Sequence, residues 1–357
     1  MKPTKTTLGH CAWLLILALA SLCCSCSADS SFLNDYDDEF VPSVRPKPEK
    51  DGMFAKRGTQ AKFVYTKYEP LANKPVTVNY YIPKNGTVAE MPVLFAMHGA
   101  ERTATAQLSA WTNLAETYKF ILIAPEFFKP EDVVDGDGYT ENDYQFGGVF
   151  ESKTSTTVRP EKQWTYQLIE EIFDYLKAET DNTSETYNMF GHSAGGQFVH
   201  RFLWAMPKAR VNRAVAANPG SLTFPLKDGL KGTDNKIYGW PYSIYKSPFA
   251  DDEHMKSFFS RQLFIQTGTA DIDTTDSSFP KDAASMGQGD TRHERAHKFY
   301  DACVEQAKAM GITLKVKVAD VEGAGHSTPQ MVYGLPSPNT AKPETRGANN
   351  AYDLIFN

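Results

Sequence analysis

Tyr187-Asn188-Met189-Phe190-Gly191-His192-Ser193-Ala194-Gly195-Gly196 is the stretch whose reading decides the fold. It opens as a short apolar strand and passes through G-x-S-x-G. It then enters Gln197-Phe198-Val199-His200-Arg201-Phe202-Leu203-Trp204, where apolar residues recur at i, i+4 and i+5 until Pro207 stops the helix. A serine held between two glycines at a strand-to-helix corner is what a nucleophile elbow needs. The turn is so tight that the positions two before and two after the serine must lack bulky side chains, and the strained serine projects its Oγ clear of the sheet. The helix N-terminus points at that serine, which places N–H groups, including that of Ala194, to stabilise an oxyanion.

Outward from this corner, strands and helices alternate. Phe63-Val64-Tyr65 and the run Val76 to Ile82 alternate apolar with polar residues and read as an opening antiparallel pair, closed by Pro83 and Gly86. The continuous apolar runs Val93 to Met97, Phe120 to Ala124, Arg213 to Ala217 and Leu263 to Thr267 are short and β-rich, as strands buried on both faces should be. Thr313 to Val318 alternates and reads as an edge strand. Helical spacing covers 105–118, Glu161 to Lys177, 197–206 and Arg292 to Met310, the last ending at Gly311. This order predicts an α/β fold, a twisted, mostly parallel sheet with helices on both faces, which binds ligands outside the carboxyl ends of its strands.

With Gly191-His192-Ser193-Ala194-Gly195-Gly196-Gln197 and the downstream Gly268-Thr269-Ala270-Asp271 in view, the chain resembles the α/β-hydrolase superfamily over about residues 60 to 335. Within it the chain is similar to secreted esterases of the polyhydroxybutyrate-depolymerase and feruloyl-esterase kind. The resemblance implies a triad in the chain order Ser, Asp or Glu, His. His326 is the expected base, since Val321-Glu322-Gly323-Ala324-Gly325-His326 follows the last strand, where a small-residue loop can bring an imidazole back over the sheet. Asp271 is the expected acid, being the first carboxylate after the Gly268 turn and the position the resemblance selects. Asp273 and Asp276 lie further along a polar loop. Met97-His98-Gly99-Ala100-Glu101 resembles the family's His-Gly-x loop, so the resemblance selects the Ala100 N–H as second oxyanion donor beside Ala194. Of the other histidines, His98 and His192 read as structural or oxyanion-loop residues, and His200 and His297 sit within helices. His10 lies in the leader, and His254 and His293 have no neighbours that suggest a role.

The ends of the chain read differently. Residues 1–25 carry Lys2, Lys5, an apolar run from Ala12 to Leu22 and no acidic residue, the pattern of a secretory leader. Ser25-Cys26-Ser27 resembles a lipoprotein processing site, which makes Cys26 the expected lipidated residue. Ordinary cleavage after Ala18-Leu19-Ala20 is the alternative. Residues 26–60 are rich in Ser, Asp, Pro and Lys and read as a disordered acidic tether, leaving 61–357 as the hydrolase domain. Four of the five cysteines lie in or next to the leader, so only Cys303 remains in the folded part and burial rather than disulfides must stabilise it.

The formal charge of -6 becomes -8 without the leader's two lysines, and no basic cluster is present. That argues against nucleic acid and against anionic lipid head groups, leaving the anchor as the only expected membrane contact. Asp135-Gly136-Asp137-Gly138 lacks the ligand spacing of a calcium loop and reads as a solvated turn. No metal or organic cofactor is implied. The long segment 219–260 holds Trp240 and Tyr242, expected either to line a substrate wall or to form an aromatic mini-core under the loop. Together with the resemblance, these features imply an envelope-located, lipid-anchored or otherwise secreted serine esterase acting through an acyl-enzyme on a small or polymeric ester, either acyl groups on a polysaccharide or a polyester. The alternatives are a peptidase on the same fold and a surface binding lipoprotein that has lost catalysis.

Overall fold

A computed structural model describes residues 50–357, so the leader, Cys26 and residues 26–49 of the expected tether lie outside the described residues. Eight strands build one sheet: β1 Gln60–Tyr65, β2 Val76–Tyr81, β3 Val93–Met97, β4 Ile121–Glu126, β5 Tyr187–His192, β6 Val211–Ala217, β7 Gln262–Gly268 and β8 Lys317–Val321. Their spatial order is β1-β2-β4-β3-β5-β6-β7-β8. The pairs β1/β2 and β2/β4 are antiparallel, and every other pair is parallel. The longer helices are α1 Ala104–Tyr118, α2 Gln167–Thr180, α3 Ala194–Ala205, α4 Asp252–Phe259 and α5 Arg292–Ala309. Among the described residues no helix is long and apolar enough to cross a membrane.

Why the central strands are apolar throughout follows from the two cores they separate. In β3, Val93, Phe95 and Met97 enter one core with α2, α3, α4 and α5. Leu94 and Ala96 enter the other, with α1 and the short C-terminal helices Thr328–Tyr333 and Ala351–Phe356. Successive side chains point to opposite faces, so a strand covered on both sides must be apolar at every position.

Three expectations are corrected and one open alternative is described. The helix expected from Glu161 to Lys177 is a single 3-10 turn at Glu161–Gln163 followed by α2, because Trp164 turns extended, is buried and donates its Nε1–H to the carbonyl of Arg159 at 2.9 Å. The last strand keeps its edge position but runs over Lys317–Val321 rather than 313–318. The Lys315 N–H is taken by the Phe259 carbonyl at the end of α4, which delays pairing with β7. The tether ends earlier than residue 60. Phe54 is buried against the rings of Phe63 and Tyr80, each 4.9 Å away, and Asp51 binds Tyr175 and Lys67. Finally, segment 219–260 contains a two-residue hairpin, Leu230–Lys231 with Ile237–Tyr238, and then α4. Tyr242 is buried and Trp240 packs edge-on against Phe249 at 5.0 Å, which is the mini-core arrangement.

Three histidines are enclosed as neutral rings. His98 accepts the Phe127 N–H on Nε2, His200 accepts the Thr223 N–H on Nε2, and His192 lies beside Asn218. Burial pushes all three below the ordinary imidazole value, His98 to about 3. Below about pH 6.5 the unfolded chain therefore binds protons that the folded chain refuses, and stability falls as pH falls. Each ring contributes a slope of at most about 1.4 kcal/mol per pH unit in that window. Urea denaturation at about pH 5 should therefore show a loss of up to about 6 kcal/mol relative to about pH 7. Equal midpoints at the two pH values would mean that these rings are not held neutral.

Candidate active site

Backbone contact at the corner after β5 explains its glycines. A Cβ on Gly191 would lie 2.1 Å from the Gly195 carbonyl oxygen, one on Gly195 would lie 2.3 Å from that of Met97, and one on Gly196 would lie 2.7 Å from that of Ala217. No side chain fits in such gaps, so the start of α3 can sit down on the ends of β3, β5 and β6 only when these positions are bare. Ser193, forced between them, takes φ 58° and ψ -117°, a conformation rarely open to a side-chain-bearing residue. Its N–H is held by the Ala217 carbonyl at 2.9 Å, which ties the strained residue to β6.

The loop after β3 closes on the serine. A Cβ on Gly99 would stand 3.8 Å from the Ser193 Cβ, so the peptide leading to Ala100 runs beside the serine. The loop is built on the buried His98, whose ring stacks on Tyr144 at 4.3 Å and whose carbonyl accepts the Tyr144 hydroxyl at 2.6 Å. Ala194 opens α3, so its N–H has no acceptor within the helix. Ala100 also lines a cavity of about 540 Å³, bounded further by Glu101, Lys129, Glu131, Glu141 and Ser278.

Of the three carboxylates after β7, Asp271 is the one that meets His326. Its Oδ2 lies 2.8 Å from His326 Nδ1, and its side chain is buried while the imidazole is partly exposed. Asp273 turns to solvent, where it binds the Thr275 N–H and hydroxyl rather than His326. Asp276 takes the Ser278 N–H and the Arg292 guanidinium, contacts that hold its carboxyl down to about 2. The His326 ring also lies 4.5 Å from that of His192, the residue before the serine. Thus the corner at Ser193, the Ala100 loop and the Asp271–His326 pair converge on one end of the sheet. Trp240 and Tyr242 pack away in the core of the 219–260 segment, and Tyr242, at 7% exposure, has little face to offer a ligand.

Two supporting residues were not legible in the sequence. Arg292, at the start of α5, is buried and donates to Asp271 Oδ1 at 3.2 Å and to Asp276 at 2.9 Å, so the carboxylate that holds His326 is itself held by a fixed cation. Twenty-one residues separate Arg292 from Asp271, and nothing local couples them. Asn218, at φ 45° after β6, receives the Gly268 N–H on its Oδ1 at 2.9 Å and donates its Nδ2–H to the Gly325 carbonyl at 3.1 Å. One side chain therefore ties the turn before Asp271 to the residue before His326. The only sequence signal was an Asn ahead of Pro219-Gly220, a generic turn cue.

A family model described as "Putative esterase" matches residues 70–205. No curated protein matches the sequence. Among solved structures the chain is similar to a poly(aspartic acid) hydrolase from Sphingomonas sp. KT-1, at 30% identity and a TM-score of 0.68, over 77% of this chain and 96% of that one. It is also similar to LpqC, a poly(3-hydroxybutyrate) depolymerase from Bordetella parapertussis, at 26% identity and a TM-score of 0.70, over 85% of this chain and 94% of that one. Strand order, glycine corner and these likenesses agree: the chain belongs to the α/β-hydrolase superfamily, among its esterases.

Proposed function

We propose that the chain is a secreted, lipid-anchored serine esterase that cleaves a polymeric ester through an acyl-enzyme. Ser193 attacks the ester carbonyl while His326 takes its proton, and the Ala100 and Ala194 N–H groups receive the oxyanion. His326 then protonates the leaving alcohol, and water releases the acid by the same path in reverse. Asp271 holds the imidazole in the tautomer that presents Nε2 to the serine and steadies the imidazolium that forms. The single observation that carries the reading is the 2.8 Å bond between the buried Asp271 and His326, beside a serine strained to φ 58°.

The likeness to a poly(aspartic acid) hydrolase supports a second reading, cleavage of amide linkages in a polyacid by the same residues. Charge favours the ester. The cavity beside Ala100 presents Glu101, Glu131 and Glu141 against Lys129 and Arg102, and Arg102 is already bound to the carbonyls of Phe127 and Thr140. A polyanion would meet like charge there, whereas a neutral polyester would not.

A fluorophosphonate probe should label Ser193 in the folded protein, and a panel of acetyl, feruloyl and hydroxybutyrate esters beside poly(aspartic acid) should show turnover of the esters. Folded protein that resists the probe would leave a binding protein on this fold, and turnover of poly(aspartic acid) alone would select the amide reading.

Asp271→Asn should lower kcat by about 10⁴ by leaving His326 in the wrong tautomer, while Asp273→Asn should lower it by less than about tenfold. Both are measured on one activated ester. A large loss at Asp273 with Asp271 spared would move the acid two residues along.

Lipidation of Cys26 predicts that the protein partitions into detergent and that Cys26→Ala releases it in soluble form. Membrane association unchanged by that substitution would assign the anchor elsewhere. Firm attachment would imply more than one acyl chain, since a single chain binds only marginally.

A further inference from the structure

We propose that His293, His297 and Asp320 form a binding site for a divalent transition-metal ion, with Zn²⁺ the best match, at the start of α5 beside β8. His293 and His297 are one helical turn apart on α5, so their imidazoles leave the same face, and their ring centroids lie 4.7 Å apart. Asp320 of β8 rises beneath them. His297 Nε2 lies 2.8 Å and His293 Nδ1 3.9 Å from Asp320 Oδ1, and the ligand atoms offered by the three residues all fall within 4.8 Å of one another.

Those spacings bracket what an ion needs. Four ligands at zinc's bond lengths of about 2.0–2.1 Å stand about 3.3 Å apart at the corners of a tetrahedron. Rotation of the two imidazoles about their Cα–Cβ bonds would open the 2.8 Å gap and close the wider ones, none above 4.8 Å, toward that value. Two imidazoles and a carboxylate suit zinc and its transition-metal neighbours and do not suit Ca²⁺ or Mg²⁺, which demand oxygen. A separate observation points the same way. His293 Nδ1 is buried and, among the described residues, has no hydrogen-bond partner, although it is aimed at Asp320. An ion would satisfy this nitrogen. The side chains are 28%, 38% and 41% exposed, which leaves a path for the ion and room for water as fourth ligand.

The location gives the ion a structural consequence. Arg292, which precedes His293, is the cation that holds Asp271, and Asp320 pairs in register with Thr267 of β7, four residues before Asp271. An ion across His293, His297 and Asp320 therefore clasps the first turns of α5 to β8 behind the carboxylate of the candidate triad. Without an ion the same groups amount to an exposed His297–Asp320 pair, which contributes little.

The test uses purified, chelator-stripped protein titrated with Zn²⁺ by calorimetry and with Co²⁺ by visible absorption. One equivalent of Zn²⁺ should bind and raise Tm, and Co²⁺ should give the intense d–d bands of a four-coordinate site. The double variant H293A/H297A, or the near-isosteric His297→Gln should the double variant fold poorly, should weaken binding by more than about tenfold while Ser193 still reacts with fluorophosphonate. No stoichiometric uptake, or uptake that the variants leave unchanged, overturns the proposal. Neither result bears on the esterase reading, because the readout is metal binding.

Discussion

Close approach of backbone to backbone at the end of β5 is the constraint on which the rest of the structure depends. Gly191, Gly195 and Gly196 let three strand ends and a helix start touch through main-chain atoms alone, at gaps that no methyl group could enter. The strain this places on Ser193 is stable only because its surroundings over-determine it. Its N–H is bound to Ala217, and α3 behind it is buried along its whole length. The same approach sets the opening of α3 beside the Gly99–Ala100 loop, so the geometry of the serine and that of its neighbouring N–H groups have one physical origin.

Around that corner the interior is unexpectedly charged. Arg201, fully buried on α3, spends its donors on Gln197, Ser221, Thr223 and the Pro241 carbonyl, and burial pushes its guanidinium down only to about 10, so it remains a cation. Arg295 likewise binds the carbonyls of Gly220, Pro280 and Gly289. A planar fork with five donors can bridge several loop carbonyls at once, which a hydrophobic side chain cannot do. These two arginines therefore order the long connections 219–260 and 268–291, segments without enough regular structure to satisfy their own backbone groups. Arg292 does the same for carboxylates, and its burial beside Asp271 makes each group dependent on the other, because removing one leaves an uncompensated buried charge.

His192 shows how tightly the polar parts are balanced. Its ring lies against His326, and burial, reinforced by the nearby Arg292 cation, keeps it neutral. A neutral ring there fills space and accepts a hydrogen bond from Asn218 without placing a second positive charge beside His326. Asn218 in turn holds Gly268 and Gly325 together, so one side chain links the loops bearing Asp271 and His326.

By itself the sequence determined whatever local physics controls. The apolar runs of β3 to β7 reported strands covered on both faces, the G-x-S-x-G corner reported its strained serine, and the first carboxylate after Gly268 is the one found against His326. Elements went astray where a distant partner outweighed the local pattern. Trp164 left the helical pattern to bury its indole, Lys315 gave its N–H to α4 instead of β7, and Phe54 joined a core assembled from residues far along the chain. Arg292, Asn218 and the meeting of His293, His297 and Asp320 were decided by tertiary structure alone. Each depends on which strand lies beside which helix, and that order is set by burial summed over the whole sheet, which no short window of sequence carries.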